Sequence, residues 1–276
     1  MLLQQKGRLS CPFVLTFSFR KEKDKTKRKN SRQAFVYEQT AGFAQTALIK
    51  RIFKMNIKCL PLSCNCYIVS DKGGNAVLFD PCERGEEIYS YIKEQGLNLS
   101  AVIITHAHFD HIYGLDGVVD SARDDGKEIP VYIHSADAPA MRSREKNLSS
   151  PLFRTPYEYT GILNEVSDGD VVTVGDLNFR VMSAPGHTAG SACFINDDEK
   201  IIFAGDVLFE GSIGRTDFPG GDMGKMRESL SKLMELDDSY RVYSGHGEIT
   251  TIGDERNWNP FICGRRVAAD NFAGEL

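Results

Sequence analysis

Four segments, far apart in the chain, end in the same way. Each is an apolar run, then Gly, Thr or Pro punctuation, then a histidine or an aspartate. They are "AVIITHAHFDH" (101–111), "VMSAPGHTAGS" (181–191), "IIFAGDVLF" (201–209) and "RVYSGHGE" (241–248). Short apolar runs bounded by turn residues read as strands buried on both faces. Such strands belong in an α/β sheet, and their ends converge on one edge, where folds of this class bind ligands. Residues more than a hundred positions apart are therefore expected to meet.

From Met55 onward the chain repeats this alternation. "NCYIVSD", "NAVLFDP", "PVYIHSA", "VVTVGDLNFRVMSAPG", "ACFINDD" and "KIIFAGDVLF" read as strands. "ERGEEIYSYIKEQG" (83–96) and "MGKMRESLSKLMELD" (223–237) carry apolar residues at intervals of three and four, which predicts helices ending near Gly96 and Asp237. No internal repeat or Gly/Ser linker interrupts residues 55–276, which read as one α/β domain.

Residues 1–54 read differently. They hold 13 Lys+Arg against 3 Asp+Glu, and "RKEKDKTKRKNSR" (20–32) is a solvated basic run of the disordered kind. Without an A-x-A-like cleavage site it makes a poor signal peptide. The simplest reading is a basic extension that arises from a start assigned upstream of Met55. The remaining residues hold 20 Lys+Arg against 35 Asp+Glu. That acidic body disfavours nucleic acid as a partner. No apolar run approaches the roughly 20 residues of a membrane span, so no membrane partner is expected. The seven cysteines lack regular spacing, and most sit in or beside apolar segments, as free thiols do in a reducing compartment. The expected location is the cytoplasm.

The histidines carry the chemistry. His106, His108 and His111 fall with Asp110 inside six residues, and His187, Asp206 and His246 end the later strands. Imidazole and carboxylate suit zinc or iron. Seven such groups exceed one tetrahedral site and match two metals about 3.5–4 Å apart, bridged by Asp206. His134 in "VYIHSAD" is read instead as an ordinary hydrogen-bonded histidine.

At these residues the chain resembles the metallo-β-lactamase superfamily, whose mark T-H-x-H-x-D-H stands here as Thr105-His106-Ala107-His108-Phe109-Asp110-His111. Its later ligands match His187, Asp206 and His246, and the resemblance runs from 55 to about 265. It implies an α/β fold, a four-layer αββα sandwich with metals at one edge of the paired sheets. By position, His106, His108 and His187 would hold one ion. Asp110, His111 and His246 would hold the other, with Asp206 between. The implied cofactors are two divalent ions, zinc first, with iron or manganese as alternatives.

"GSIGRTDFPGGD" (211–222) and "GHGEITTIGDERNWNPFI" (245–262) resemble the small glyoxalase-II-like hydrolases, relatives of hydroxyacylglutathione hydrolase. Asp206 occupies a position where true metallo-β-lactamases lack an aspartate, which disfavours antibiotic hydrolysis. The implied partner is a small-molecule thioester of the S-lactoylglutathione type, cleaved by a metal-activated hydroxide. Asp110 would orient that water besides ligating, and Arg215 and Asp217 would pair to support the site. The enzymatic alternative is a glutathione persulfide dioxygenase with one iron on His106, His187 and Asp206. The alternative of another class is a non-catalytic, metal-stabilised binding protein. Oligomeric state is left open.

Overall fold

The computed structural model describes residues 55–152 and 154–264; the basic extension over 1–54 lies outside them. Six strands form one sheet in chain order: β1 (Met55–Pro61), β2 (Asn65–Asp71), β3 (Asn75–Phe79), β4 (Asn98–Ile104), β5 (Val131–His134) and β6 (Asn164–Val166). A second sheet draws on β7 (Val171–Val174), β8 (Leu177–Ser183), β9 (Ala192–Asn196), β10 (Ile201–Gly205), β13 (Arg241–Ser244) and β14 (Thr250–Thr251). Its order is β14-β13-β10-β9-β8-β7. Between them in sequence, β11 (Leu208–Phe209) and β12 (Ser212–Ile213) pair as a small hairpin. The helices are α1 (Gly85–Glu94), α2 (Phe109–Ile112), α3 (Leu115–Asp124), α4 (Ala138–Met141), α5 (Met223–Leu233) and α6 (Ile252–Trp258).

Side chains alternate across each strand, so a strand covered on both faces must be apolar throughout. In β3, Val77 and Phe79 face the second sheet, while Ala76 and Leu78 face the helices. In β10, Ile201 and Phe203 point between the sheets, and Ile202 and Ala204 point to the opposite helical layer. The central layer is aromatic. Phe79 stacks on Phe203 with ring centroids 4.1 Å apart and meets Phe179 edge-on at 5.3 Å. Each of these fully buried rings contributes on the order of 1.5–3 kcal/mol. Helices α1 and α3 pack on the outer face of the first sheet and α5 on that of the second. This is the expected four-layer αββα sandwich.

Side chains cap α5 and α6, whereas α1 begins at Arg84 without a capping side chain. In α1, Ile88, Tyr89 and Ile92 form the buried face, with acidic Glu86 and Glu87 in the first turn and Lys93 in the last. Gly96, at φ +69°, lets the chain turn away in the left-handed region just after the helix ends. Asp222 caps α5 by accepting from the amides of Gly224 (2.7 Å) and Lys225 (3.0 Å). That helix stops at Leu233, four residues before Asp237. The segment "VVTVGDLNFRVMSAPG", which reads as one strand, folds back at Gly175 to give β7 and β8.

β3 and β4 run parallel in one sheet and β10 and β13 run parallel in the other. The two sheets are stitched at one edge, where Asn65 donates its amide to the Gly245 carbonyl (2.7 Å) and Ala192 donates to Thr105 (3.1 Å). That edge carries the functional side chains.

Candidate metal centre

The chain leaves β4 through Thr105 and His106, turns at His108, and enters α2 with Asp110 and His111. His187 comes from the loop between β8 and β9, Asp206 directly follows β10, and His246 lies two residues beyond β13. All seven expected residues come together. Three overlapping groups form: His106, His108 and His187; His106, His111 and Asp206; and Asp110, His111 and His246. Within each group the potential ligand atoms lie within 4.8 Å of one another.

Asp206 stands between the groups. Its Oδ1 is 3.4 Å from His111 Nε2, and its Oδ2 is 3.5 Å from His187 Nε2 and 3.7 Å from His246 Nε2. Asp110 Oδ2 is 3.4 Å from His246 Nε2. Gly245 makes this approach possible. A Cβ there would collide with Asp206 Oδ1 and lie 2.7 Å from His111 Cε1.

The histidine tautomers follow from the partners behind the rings. The Thr105 hydroxyl donates to Asp80 (2.7 Å), so its oxygen accepts from His106 Nδ1 at 3.2 Å. His111 Nδ1 donates to Asp80 (3.0 Å), and His187 Nδ1 donates to the Arg215 carbonyl (2.8 Å). Each of these rings therefore turns its Nε2 lone pair inward, the orientation a metal needs. His108 presents Nδ1 instead, 2.8 Å from His187 Nε2.

Burial sets the charges. It holds His106 well below the ordinary imidazole value, and neighbouring His111 and His187 add to the effect. Burial and then His187 push His108 down to about 3. Burial opposes charge on Asp206 too, but His111, His106 and His187 outweigh it and hold the carboxyl well below its usual range. Burial likewise opposes charge on His111, yet Asp206, Asp80 and Asp110 raise its pKa. Contact with Asp110 raises His246 against a smaller burial effect.

The donor set fits divalent metal ions. His106 Nε2, His108 Nε2, His111 Nε2 and Asp206 Oδ1 are buried without a hydrogen-bond partner. An unsatisfied buried polar atom costs about 1–3 kcal/mol, and the three that face the centre, on His106, His111 and Asp206, are hard to reconcile with a stable fold unless a ligand is meant to engage them.

Two aspartates that the histidine-centred reading passed over organise this site. Asp80 accepts from the Thr105 amide (2.8 Å), the Thr105 hydroxyl and His111. Its backbone sits at φ +48°, an uncommon conformation that Asp tolerates better than most residues. Asp137 accepts from the amides of Ala107 (2.9 Å) and Gly190 (2.7 Å) and from the Thr188 hydroxyl (2.8 Å). It thereby ties the turn after His106 to the loop of His187. Both follow apolar runs, "NAVLFD" and "VYIHSAD", the same signal that marks Asp206.

The expected Arg215–Asp217 pair is present and bidentate, with both contacts at 2.8 Å. His134 turns away from the cluster and bonds the Ser183 hydroxyl (2.7 Å). Cys64, Cys66, Cys82 and Cys193 are buried and free. Among the described residues no helix is long and apolar enough to cross a membrane.

Residues 59–246 match the metallo-beta-lactamase superfamily. A protein of Haemophilus influenzae named hydroxyacylglutathione hydrolase GloC is 34% identical over 221 residues, 75% of this chain and 98% of its own. Among solved structures, the BLEG-1 B3 metallo-beta-lactamase is 35% identical with a TM-score of 0.70, covering 75% of this chain and 99% of its own. TTHA1623, solved in a di-iron-bound form, is 33% identical with a TM-score of 0.65 and the same coverages. ETHE1 from Myxococcus xanthus is 28% identical with a TM-score of 0.59, covering 77% and 86%. With the fold, the ordered ligand set and these likenesses in agreement, the chain belongs to the metallo-beta-lactamase superfamily, as a metallo-hydrolase-type member.

Proposed function

We propose that this protein is a metal-dependent thioester hydrolase acting on a small substrate of the hydroxyacylglutathione type, with S-lactoylglutathione as the model compound. The observation that carries the reading is the placement of Asp206 within 3.7 Å of ring nitrogens in both ligand groups. A carboxylate so placed suits a bridge between two ions. His106, His108 and His187 would hold one, and Asp110, His111 and His246 the other. Two divalent ions, when bound, supply Lewis acidity and lower the pKa of a water from near 16 toward about 7. Zinc suits the nitrogen-rich donor set, and the di-iron form of TTHA1623 makes iron the natural second choice, with manganese third.

The chain's own contribution is orientation. Asp80, Thr105 and the Arg215 carbonyl fix the rings, so little reorganisation accompanies reaction. Asp110 is partly exposed and so placed to orient a water from the solvent side. A thiolate leaves readily, so no separate general acid is required at the sulfur. The name of the Haemophilus relative supports a hydroxyacylglutathione substrate. Free buried thiols accord with a cytoplasmic setting, which we include in the proposal.

The persulfide dioxygenase reading requires only one iron on His106, His187 and Asp206. The assembled Asp110, His111 and His246 group favours a second ion and hence hydrolysis. The test is metal analysis of the purified protein, with turnover assays on S-lactoylglutathione, glutathione persulfide with oxygen uptake, and a β-lactam. Two ions per chain and thioester cleavage are the expected result. A metal-loaded protein that leaves the thioester intact would overturn the assignment, and the other two assays identify what replaces it.

A further inference from the structure

Beside His108 lies a cavity of about 240 Å³. It is smaller than the roughly 300–1,000 Å³ of sites that enclose a drug-sized ligand, so it fits one arm of a substrate whose reacting centre sits at the metals. Its walls are apolar: Ala107, Ala136, Pro139, Ala140, Ala189 and Pro219. Two ionisable side chains other than His108 reach it, and they differ in kind. Asp137 is buried, and its oxygens are occupied by the Ala107 amide, the Gly190 amide and the Thr188 hydroxyl. The Lys146 ammonium is exposed and has no hydrogen bond or ion pair to any described residue. The nearby Arg215, by contrast, is committed to Asp217 and lies over the Phe218 ring at 3.8 Å.

The backbone that carries Lys146 is held in place. The adjacent Asn147 is fully buried, and its carbonyl accepts from the Phe109 amide (2.8 Å) at the start of α2, directly after His108. The Asn147 side chain donates to the Tyr157 carbonyl (2.8 Å), and its amide donates to Ser143 (2.9 Å). A cation with no partner is thus anchored, through one residue, to the helix that carries Asp110 and His111.

We infer that this cavity receives an anionic arm of the substrate and that Lys146 is its specificity-determining residue, pairing with a carboxylate on that arm. The inference rests on the hydrolase reading and deepens it by assigning recognition of one substrate carboxylate to Lys146 at this cavity. The apolar walls strip water from the arm, so the pair forms in a less screened setting than on an open surface.

The experiment uses the zinc-loaded full-length protein, S-lactoylglutathione and its diethyl ester, in which both carboxylates are masked. The wild type should prefer the free acid. In Lys146→Ala that preference should fall about tenfold, as expected for loss of a charge-assisted hydrogen bond, and it should fall through KM rather than kcat. Lys146→Arg should restore it. An unchanged preference in Lys146→Ala overturns the subsite. Binding of the inert thioether S-methylglutathione, measured by calorimetry, separates the two claims. If neither thioester is cleaved, the hydrolase reading fails. An approximately tenfold weaker S-methylglutathione affinity in Lys146→Ala would then still uphold the subsite, and equal affinity would overturn it.

Discussion

The two ligand groups of the metal centre are built from different materials. His106, His108 and His187 are all nitrogen donors, and each is at most 4% exposed. The other group mixes a carboxylate with two imidazoles and opens to solvent, with the side chains of Asp110 and His246 24% and 41% exposed. Burial keeps His106 and His108 neutral, ready to ligate without first losing a proton. The open group carries its own negative charge and is where water and substrate can enter. A buried, all-imidazole half suits holding an ion, and an open half that carries a carboxylate suits exchanging ligands around one. Asp206 belongs to neither half and touches both.

Asp206→Ala is therefore the sharpest way to break the comparison. Loading of two ions should be lost, and thioester turnover should fall by more than about a hundredfold, since even residues behind the ligands cost 10–100-fold. Retention of two ions, measured by elemental analysis, would remove the bridge from the proposal. Gly245→Ala keeps every ligand atom but drives a methyl group into Asp206 Oδ1 and against His111. It should reproduce the loss of the second ion while leaving the trio of His106, His108 and His187 able to bind.

Asp80 sharpens the contrast next, because it holds His111 of the open half directly and reaches His106 of the buried half only through the Thr105 hydroxyl. One of its oxygens accepts from the Thr105 amide, and the other accepts from the Thr105 hydroxyl and His111. Asn supplies a single acceptor oxygen. Its NH2 group must face either the Thr105 amide or the His111 Nδ1 proton, donor against donor. Asp80→Asn should therefore weaken the ion held by Asp110, His111 and His246 by about 10–100-fold. Competition with a chromophoric chelator reads this directly. Equal weakening of both ions would show that the halves do not have separate supports.

The sequence was most legible where a buried strand ends in a metal-binding side chain. An apolar run closed by Gly-His, Gly-Asp or Thr-His is hard to explain by packing alone, and each such run found its place at the sheet edge. Helix α3 was not foreseen, and the reason is steric. Gly117 within it reads as a helix breaker, yet a Cβ there would lie 3.0 Å from the Glu86 amide, and one on Gly85 would overlap the Gly114 carbonyl. Those glycines exist so that α1 and α3 can touch, a tertiary demand invisible in local pattern. Strand β6 is three residues long at a sheet edge, too short to show alternation. Asp80 and Asp137 each follow a strand, but neither belongs to the set of histidine-bearing strand ends from which the site was read. Their roles depend on backbone amides, and amides leave no mark in a sequence.

The smallest expected effect tests the support of the buried half. His187 is oriented by the Arg215 carbonyl, a backbone group, while the Arg215 side chain pairs with Asp217 at a position that is largely exposed. Hydrogen bonding to Arg215 lowers the Asp217 carboxyl to about 2. Because its folded pKa is depressed, any stability from this pair is present above the ordinary carboxylate pKa of about 4 and fades as the pH falls toward 2. Solvent screening limits an exposed pair of this kind to at most about 1 kcal/mol. Asp217→Asn should thus lower stability by less than about 1 kcal/mol at pH 7, a difference that narrows on acidification, and leave both ions bound. Loss of the ion held by His106, His108 and His187 in this variant would mean that the side-chain pair, and not the Arg215 carbonyl alone, keeps His187 aimed at the metals.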